Sequence, residues 1–118
     1  MKASKHFSRH EFACKDECGF DTVDEETLGV LELTREHFAA PITIKSGCRC
    51  AKHNSTIGGA LKSQHVRARA ADIVVEGFAP YLVHRYLIDS YPGKYGIGKY
   101  ETFTHIDTRT DGPARWEG

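Results

Sequence analysis

Two short stretches carry side chains able to hold a metal ion. Ser63–Ile73 (SQHVRARAADI) places His65 seven residues before Asp72. Asp72 opens the apolar run ADIVV, where a carboxylate needs a positive partner. A metal ion is one such partner; Arg67 or Arg69 is another. The second stretch, FTHIDTR from Phe103 to Arg109, has His105 and Asp107 two residues apart. On a strand that spacing points both side chains to one face and turns Ile106 toward the core. Two segments of this kind can supply three ligands to one ion. Three protein ligands plus a water is the pattern of a catalytic zinc site, whereas structural sites close all four positions.

The elements that must position these residues are readable in outline. Thr22–Phe38 reads as a helix, with Thr22 and Glu25 as a capping box. Leu28, Leu31, Arg35 and Phe38 share its inner face, flanked by Val30 and Leu33. Pro41 stops it. Ile42–Lys45 and Ala71–Val75 read as strands. Between them, Ser46–Ser63 is loop-like, rich in Gly and Asn. Pro80 sits at the first position of a second helix that runs to about Ser90. Leu82, Val83, Tyr86 and Leu87 give that helix its apolar face. Tyr95–Ile97 and Phe103–Thr108 complete the strands. The order is helix, strand, loop, strand, helix, strand, strand. That predicts an α+β fold, a small, largely antiparallel sheet with flanking helices. Phe7, Phe12 and Phe20 anchor the first ~20 residues to the domain as an arm rather than a free tail.

The chain has 118 residues, of which 40% are hydrophobic and 27% charged. This is the size and composition of one soluble domain, residues 1–118, without internal repeat or linker. Sixteen basic and sixteen acidic residues cancel, so sequence-independent nucleic-acid binding loses its usual electrostatic driver. No apolar run reaches the ~18 residues of a membrane-spanning helix. A monomer with no nucleic-acid partner and no membrane insertion is expected. The start, MKASKHFSRHEF, lacks the apolar core of a secretory signal.

Taken together, the motifs resemble the zinc D-Ala-D-Ala carboxypeptidase family, small peptidoglycan peptidases of the hedgehog/D-Ala-D-Ala-peptidase fold. The family pattern is Ser-x-His-x-x-Gly-x-Ala-x-Asp, followed by His-x-His or His-x-Asp. Ser63, His65, Ala70 and Asp72 stand at matching places, followed by His105 and Asp107. Ser46-Gly47-Cys48-Arg49 resembles the family's Ser-Gly-Tyr-Arg, and Cys50-Ala51-Lys52-His53-Asn54 continues it. HIDTR with the later Arg115-Trp116 is similar to the bacterial and phage branch. Ala68 stands where the family has Gly, and Cys48 where it has Tyr.

The resemblance implies one zinc ion on His65, Asp72 and His105, with a metal-activated water as nucleophile. It implies a peptidase acting on peptidoglycan stem peptides, as carboxypeptidase or endopeptidase. Some relatives carry an acidic base three residues before the last His ligand, where this chain has Thr102. Asp107 then becomes the base, with Glu101 as runner-up, or else Asp107 orients a ligand His. Arg49 is the expected partner of a substrate carboxylate or of the oxyanion, with Ser63 also on the substrate side. By analogy the enzyme is made in the cytoplasm and acts on the cell wall after release, or as a virion or prophage component. The alternative is a non-catalytic, zinc-stabilised wall-binding or phage structural module on the same fold. Cys14, Cys18, Cys48 and Cys50 can form a second zinc site, one or two disulfides, or remain thiols. His6, His10, His37, His53 and His84 are expected to have no role in the site.

Overall fold

The computed structural model describes residues 4–13, 23–47 and 69–118. Five strands form one sheet: β1 (Ile42–Ser46), β2 (Ala70–Val75), β3 (Gly96–Lys99), β4 (Thr104–Asp107) and β5 (Ala114–Glu117). Their spatial order is β1-β2-β4-β3-β5. The β1–β2, β2–β4 and β3–β4 pairs are antiparallel, and β3–β5 is parallel. With α1 (Glu25–Phe38) and α2 (Pro80–Ser90) this makes the expected α+β architecture, on a mixed sheet.

Strand alternation divides the sheet into two chemically different faces. Ile42, Ile44, Ala71, Ile73, Val75, Ile97 and Ile106 form the apolar face. It meets Val30 and Leu31 of α1 and Val83 and Leu87 of α2 in a single core cluster. The opposite face carries Asp72, His105 and Asp107, from β2 and β4. Asp72 is thus the third residue of its strand, because β2 starts at Ala70. β4 is buried at all four positions, so its polar residues are nearly as enclosed as Ile106.

Several local expectations are corrected. Helix α1 begins at Glu25, and its cap is Asp24, whose side chain accepts from Glu26 N at 3.0 Å. Thr22, the cap expected from sequence, lies outside the described residues. The buried residues of α1 are Thr27, Val30, Leu31 and Thr34, with Leu28 and Phe38 packed against the core as expected, while Leu33 is 55% exposed. Both threonines satisfy their hydroxyls, Thr27 on Thr108 Oγ1 at 2.6 Å and Thr34 on the Val30 carbonyl at 2.8 Å. Satisfied hydroxyls remove the penalty for burying them. Helix α1 ends in Ala39, at φ 50°, the left-handed cap conformation that usually falls to Gly. β3 starts one residue later than expected and runs to Lys99, and β5 was not foreseen.

Arg69 is not a solvated loop residue. It donates to Asp24 Oδ1 and Glu26 Oε1, each at 3.0 Å, and to the Thr108 carbonyl at 2.7 Å. It ties the entry of β2 to the start of α1, so it is not the partner of Asp72.

The N-terminal arm is packed as expected at Phe7 and Phe12, both buried in the core with ring centroids 5.9 Å apart. Phe20 lies outside the described residues. Gly47 explains part of the Ser-Gly motif: a Cβ there would sit 2.5 Å from Phe12 Cα. Only Gly lets the end of β1 pass this close to the arm.

Candidate metal centre

Register brings the chemistry-bearing residues into two adjacent rows across the polar face. In the first row Asp72 of β2 pairs with His105 of β4, His105 with Gly98 of β3, and Gly98 with Trp116 of β5. In the second, Ala70 pairs with Asp107, Asp107 with Gly96, and Gly96 with Ala114. Gly96 and Gly98 leave the floor of β3 bare on this face, and the neighbouring side chains fill it. A Cβ on residue 96 would lie 2.4 Å from Asp107 Oδ2, and one on residue 98 would lie 2.5 Å from Trp116 Nε1.

The centre is the His105 imidazole. Its Nδ1 lies 2.8 Å from Asp72 Oδ1 and its Nε2 lies 2.7 Å from Asp107 Oδ2. Asp72 and His105 are each 8% exposed, whereas Asp107 is fully buried. Arg109 closes the inner end, with Nε on Asp107 Oδ1 and Nη2 on Asp107 Oδ2, both at 2.8 Å. The two carboxylates are therefore not equivalent. Asp107 is neutralised by a two-pronged guanidinium; Asp72 sits at the rim.

Ionisation follows from these contacts. For Asp107, burial opposes the charge, but hydrogen bonds from Arg109 and then His105 outweigh it. Its carboxyl is held well below the usual carboxylate range. For His105, burial also opposes the charge, and hydrogen bonds with Asp107 and Asp72 again prevail, raising the ring above the ordinary 6.5.

A carboxylate oxygen and an imidazole nitrogen at 2.8 Å share a positive charge between them. Either a proton on Nδ1 or a metal ion in its place can provide it. Both atoms are of the O and N type that zinc takes. With a metal at Nδ1, Asp107 would accept the Nε2 proton of the neutral ring and hold the Nδ1 lone pair toward Asp72. A carboxylate behind a ligand imidazole is the usual support of such a ligand. The donor pair thus fits zinc. Among the described residues no third His, Cys, Asp or Glu completes a site. His65, Arg49 and Ser63 lie outside the described residues, as do all four cysteines. Glu101 is exposed in the turn between β3 and β4.

The competition between proton and metal sets a pH dependence. A raised histidine value stabilises the metal-free fold fully below 6.5 and loses that contribution as pH rises through the raised value. The lowered Asp107 has the opposite sign: its contribution is present above 3.8 and is lost as pH falls through the folded-state value. Zinc bound at Nδ1 would replace that proton, so its binding would strengthen with pH. The rise in Tm caused by saturating zinc is expected to be larger at about pH 8 than at about pH 6. Thermal melts with and without zinc at the two pH values check this.

Residues 5–107 match the family model of peptidase M15. The chain belongs to peptidase M15. M15 enzymes are zinc-dependent metallopeptidases, and the sheet with its two helices is compatible with the M15 fold. No curated protein matches the chain. The match to M15 takes in Asp72, His105 and Asp107 and ends there, so Arg109 and β5 with Trp116 lie past it. No helix among the described residues is long and apolar enough to cross a membrane.

Strand alternation put His105 and Asp107 on one face, and the family resemblance grouped Asp72 with His105; the structure brings these three together. Sequence reasoning missed Arg109 as the partner of Asp107, the Gly96–Gly98 floor and the packing of Trp116 over that floor. A signal for the floor was present: two glycines two residues apart on a strand clear one face.

Proposed function

We propose that this M15 peptidase hydrolyses peptide bonds in peptidoglycan stem peptides, with one zinc ion held by His65, Asp72 and His105. The observation that carries this reading is the Asp72–His105 pair, facing at 2.8 Å with the other ring nitrogen locked on buried Asp107. Bound there, zinc supplies a Lewis acid that lowers the pKa of water to roughly 7 and polarises a carbonyl.

The chain's own residues do the rest. Asp72 brings a negative charge to the rim. His105 presents Nδ1 because Asp107 holds Nε2–H. Asp107 acts as the orienting group rather than as the general base. A base works best with a pKa near the working pH, whereas Asp107 is fully buried, chelated by Arg109 and held far below that range. Arg49, in the Ser-Gly-Cys-Arg motif, offers a rigid fork for a substrate carboxylate or the oxyanion. Ser63 adds a hydroxyl on the substrate side.

Incubation of zinc-loaded protein with purified peptidoglycan, followed by mass spectrometry of the muropeptides, tests the proposal. The expected result is loss of a terminal residue or of a cross-link with the wild type and intact muropeptides with His65→Ala. Unchanged muropeptides with the zinc-loaded wild type, or equal cleavage by His65→Ala, would overturn it.

A further inference from the structure

The first row of the polar face ends in an aromatic side chain that the M15 match does not reach. Trp116 projects from edge strand β5, two strands away from His105, and crosses the gap because Gly98 between them has no side chain. The indole reaches the imidazole at a centroid separation of 5.0 Å, tilted by 51°. The Arg109 guanidinium lies over the same indole at 5.2 Å. Trp116 Nε1–H donates to Tyr100 Oη at 2.8 Å, and Tyr100 is stacked on Phe103 at 4.4 Å.

His105 and Arg109 grip Asp107 from its two sides. Trp116 touches both of them, so one rigid ring braces the two ends of the chain of hydrogen bonds. A cation over an indole face and a tilted ring pair are each favourable arrangements. An imidazole without this wall could rotate about its side-chain bonds and take Nδ1 away from Asp72.

We propose that Trp116 is a positioning residue of the metal centre: seated over Gly98 and tied to Tyr100, its indole holds His105 and Arg109 in the pose that presents Nδ1 to the metal. The proposal rests on the reading that zinc binds at Asp72 and His105. Its site is the β5 edge, and Gly98 is part of the device, since any larger residue there would displace the ring.

Trp116 is the chain's only tryptophan, so its fluorescence reports on this one place. The experiment measures zinc affinity by competition with a chromophoric chelator for wild type, Trp116→Ala, Trp116→Phe, Tyr100→Phe and Asp72→Asn, each first checked by circular dichroism. Wild-type emission is followed during titration with Co(II). Trp116→Ala should bind zinc about 10-fold more weakly or worse, as when other supports of a ligand are removed. Trp116→Phe should recover most of that loss by keeping a ring against His105. Wild-type emission should be quenched by Co(II), saturating with the metal bound. Wild-type affinity in folded Trp116→Ala overturns the proposal, as does emission that bound Co(II) leaves unchanged. Should Trp116→Ala not fold, Tyr100→Phe decides: weakened zinc binding supports the brace and wild-type affinity rejects it. Failure of the underlying metal reading is distinct, because Asp72→Asn would then bind zinc as tightly as wild type.

Discussion

His105→Ala is expected to remove zinc binding and turnover together while leaving the sheet in place. The imidazole touches both carboxylates, Asp72 through Nδ1 and Asp107 through Nε2. Its loss would delete the proposed metal donor and both carboxylates' contact with the ring. Asp107 keeps its two hydrogen bonds from the Arg109 guanidinium, so the more deeply buried of the two carboxylates stays neutralised. The apolar face and both helices lie on the far side of the sheet, and circular dichroism should be close to wild type. Turnover on peptidoglycan fragments should fall at least about 100-fold, the upper end of what removal of a mere supporting group costs. A variant that retains a tenth or more of wild-type activity would show that the imidazole is not a ligand.

The second large effect belongs to Asp107, and it separates fold from chemistry. Asp107→Ala removes a fully buried acceptor and leaves the partly exposed Arg109 guanidinium without its carboxylate. Breaking a buried ion pair from one side costs about 3–5 kcal/mol. The metal-free protein should therefore melt many degrees lower, or be unfolded. Gly96→Ala probes the same place without changing any titratable group. Its Cβ would fall 2.4 Å from Asp107 Oδ2 and 2.5 Å from Arg109 Nε. Overpacking of this kind costs about 1–3 kcal/mol, and zinc affinity should drop with it because the His105 ring loses its support. Denaturant melts with zinc titrations on both variants test this pair of effects. Wild-type stability in Asp107→Ala would mean that the Arg109–Asp107–His105 chain does not hold the site.

How far the site was legible depends on which physical signal each residue carries. Strand alternation placed His105 and Asp107 on one face and Ile106 on the other, because the period of a strand depends only on backbone geometry. The apolar run after Asp72 gave β2 for a similar reason. Partners across the sheet were not legible, since pairing order is a tertiary fact: nothing local says that β3 lies between β4 and β5. Hence the Gly96–Gly98 floor and the reach of Trp116 over it were not seen. β5 itself, ARWE, alternates half-buried and exposed positions and has no apolar run. It exists because β3 offers it a parallel edge. On α1 the spacing of Leu28, Leu31 and Phe38 found residues that pack on the core, but polarity hid the two buried threonines. Leu33 faces solvent while Thr27 and Thr34 are fully buried, their hydroxyls satisfied by Thr108 and by the helix backbone. Arg69 read as a loop cation because its partners, Asp24 and Glu26, are more than forty residues away in the chain.

Zinc K-edge X-ray absorption of protein loaded with one equivalent of zinc tests the metal centre most directly. The expected spectrum has a nitrogen and oxygen shell at about 2.0–2.1 Å with the outer scattering of imidazole rings, and His105→Ala at the same loading should lose part of that imidazole signal. A first shell of sulfur at about 2.3 Å would place the ion on Cys14, Cys18, Cys48 and Cys50 instead, and would contradict a zinc centre at Asp72 and His105.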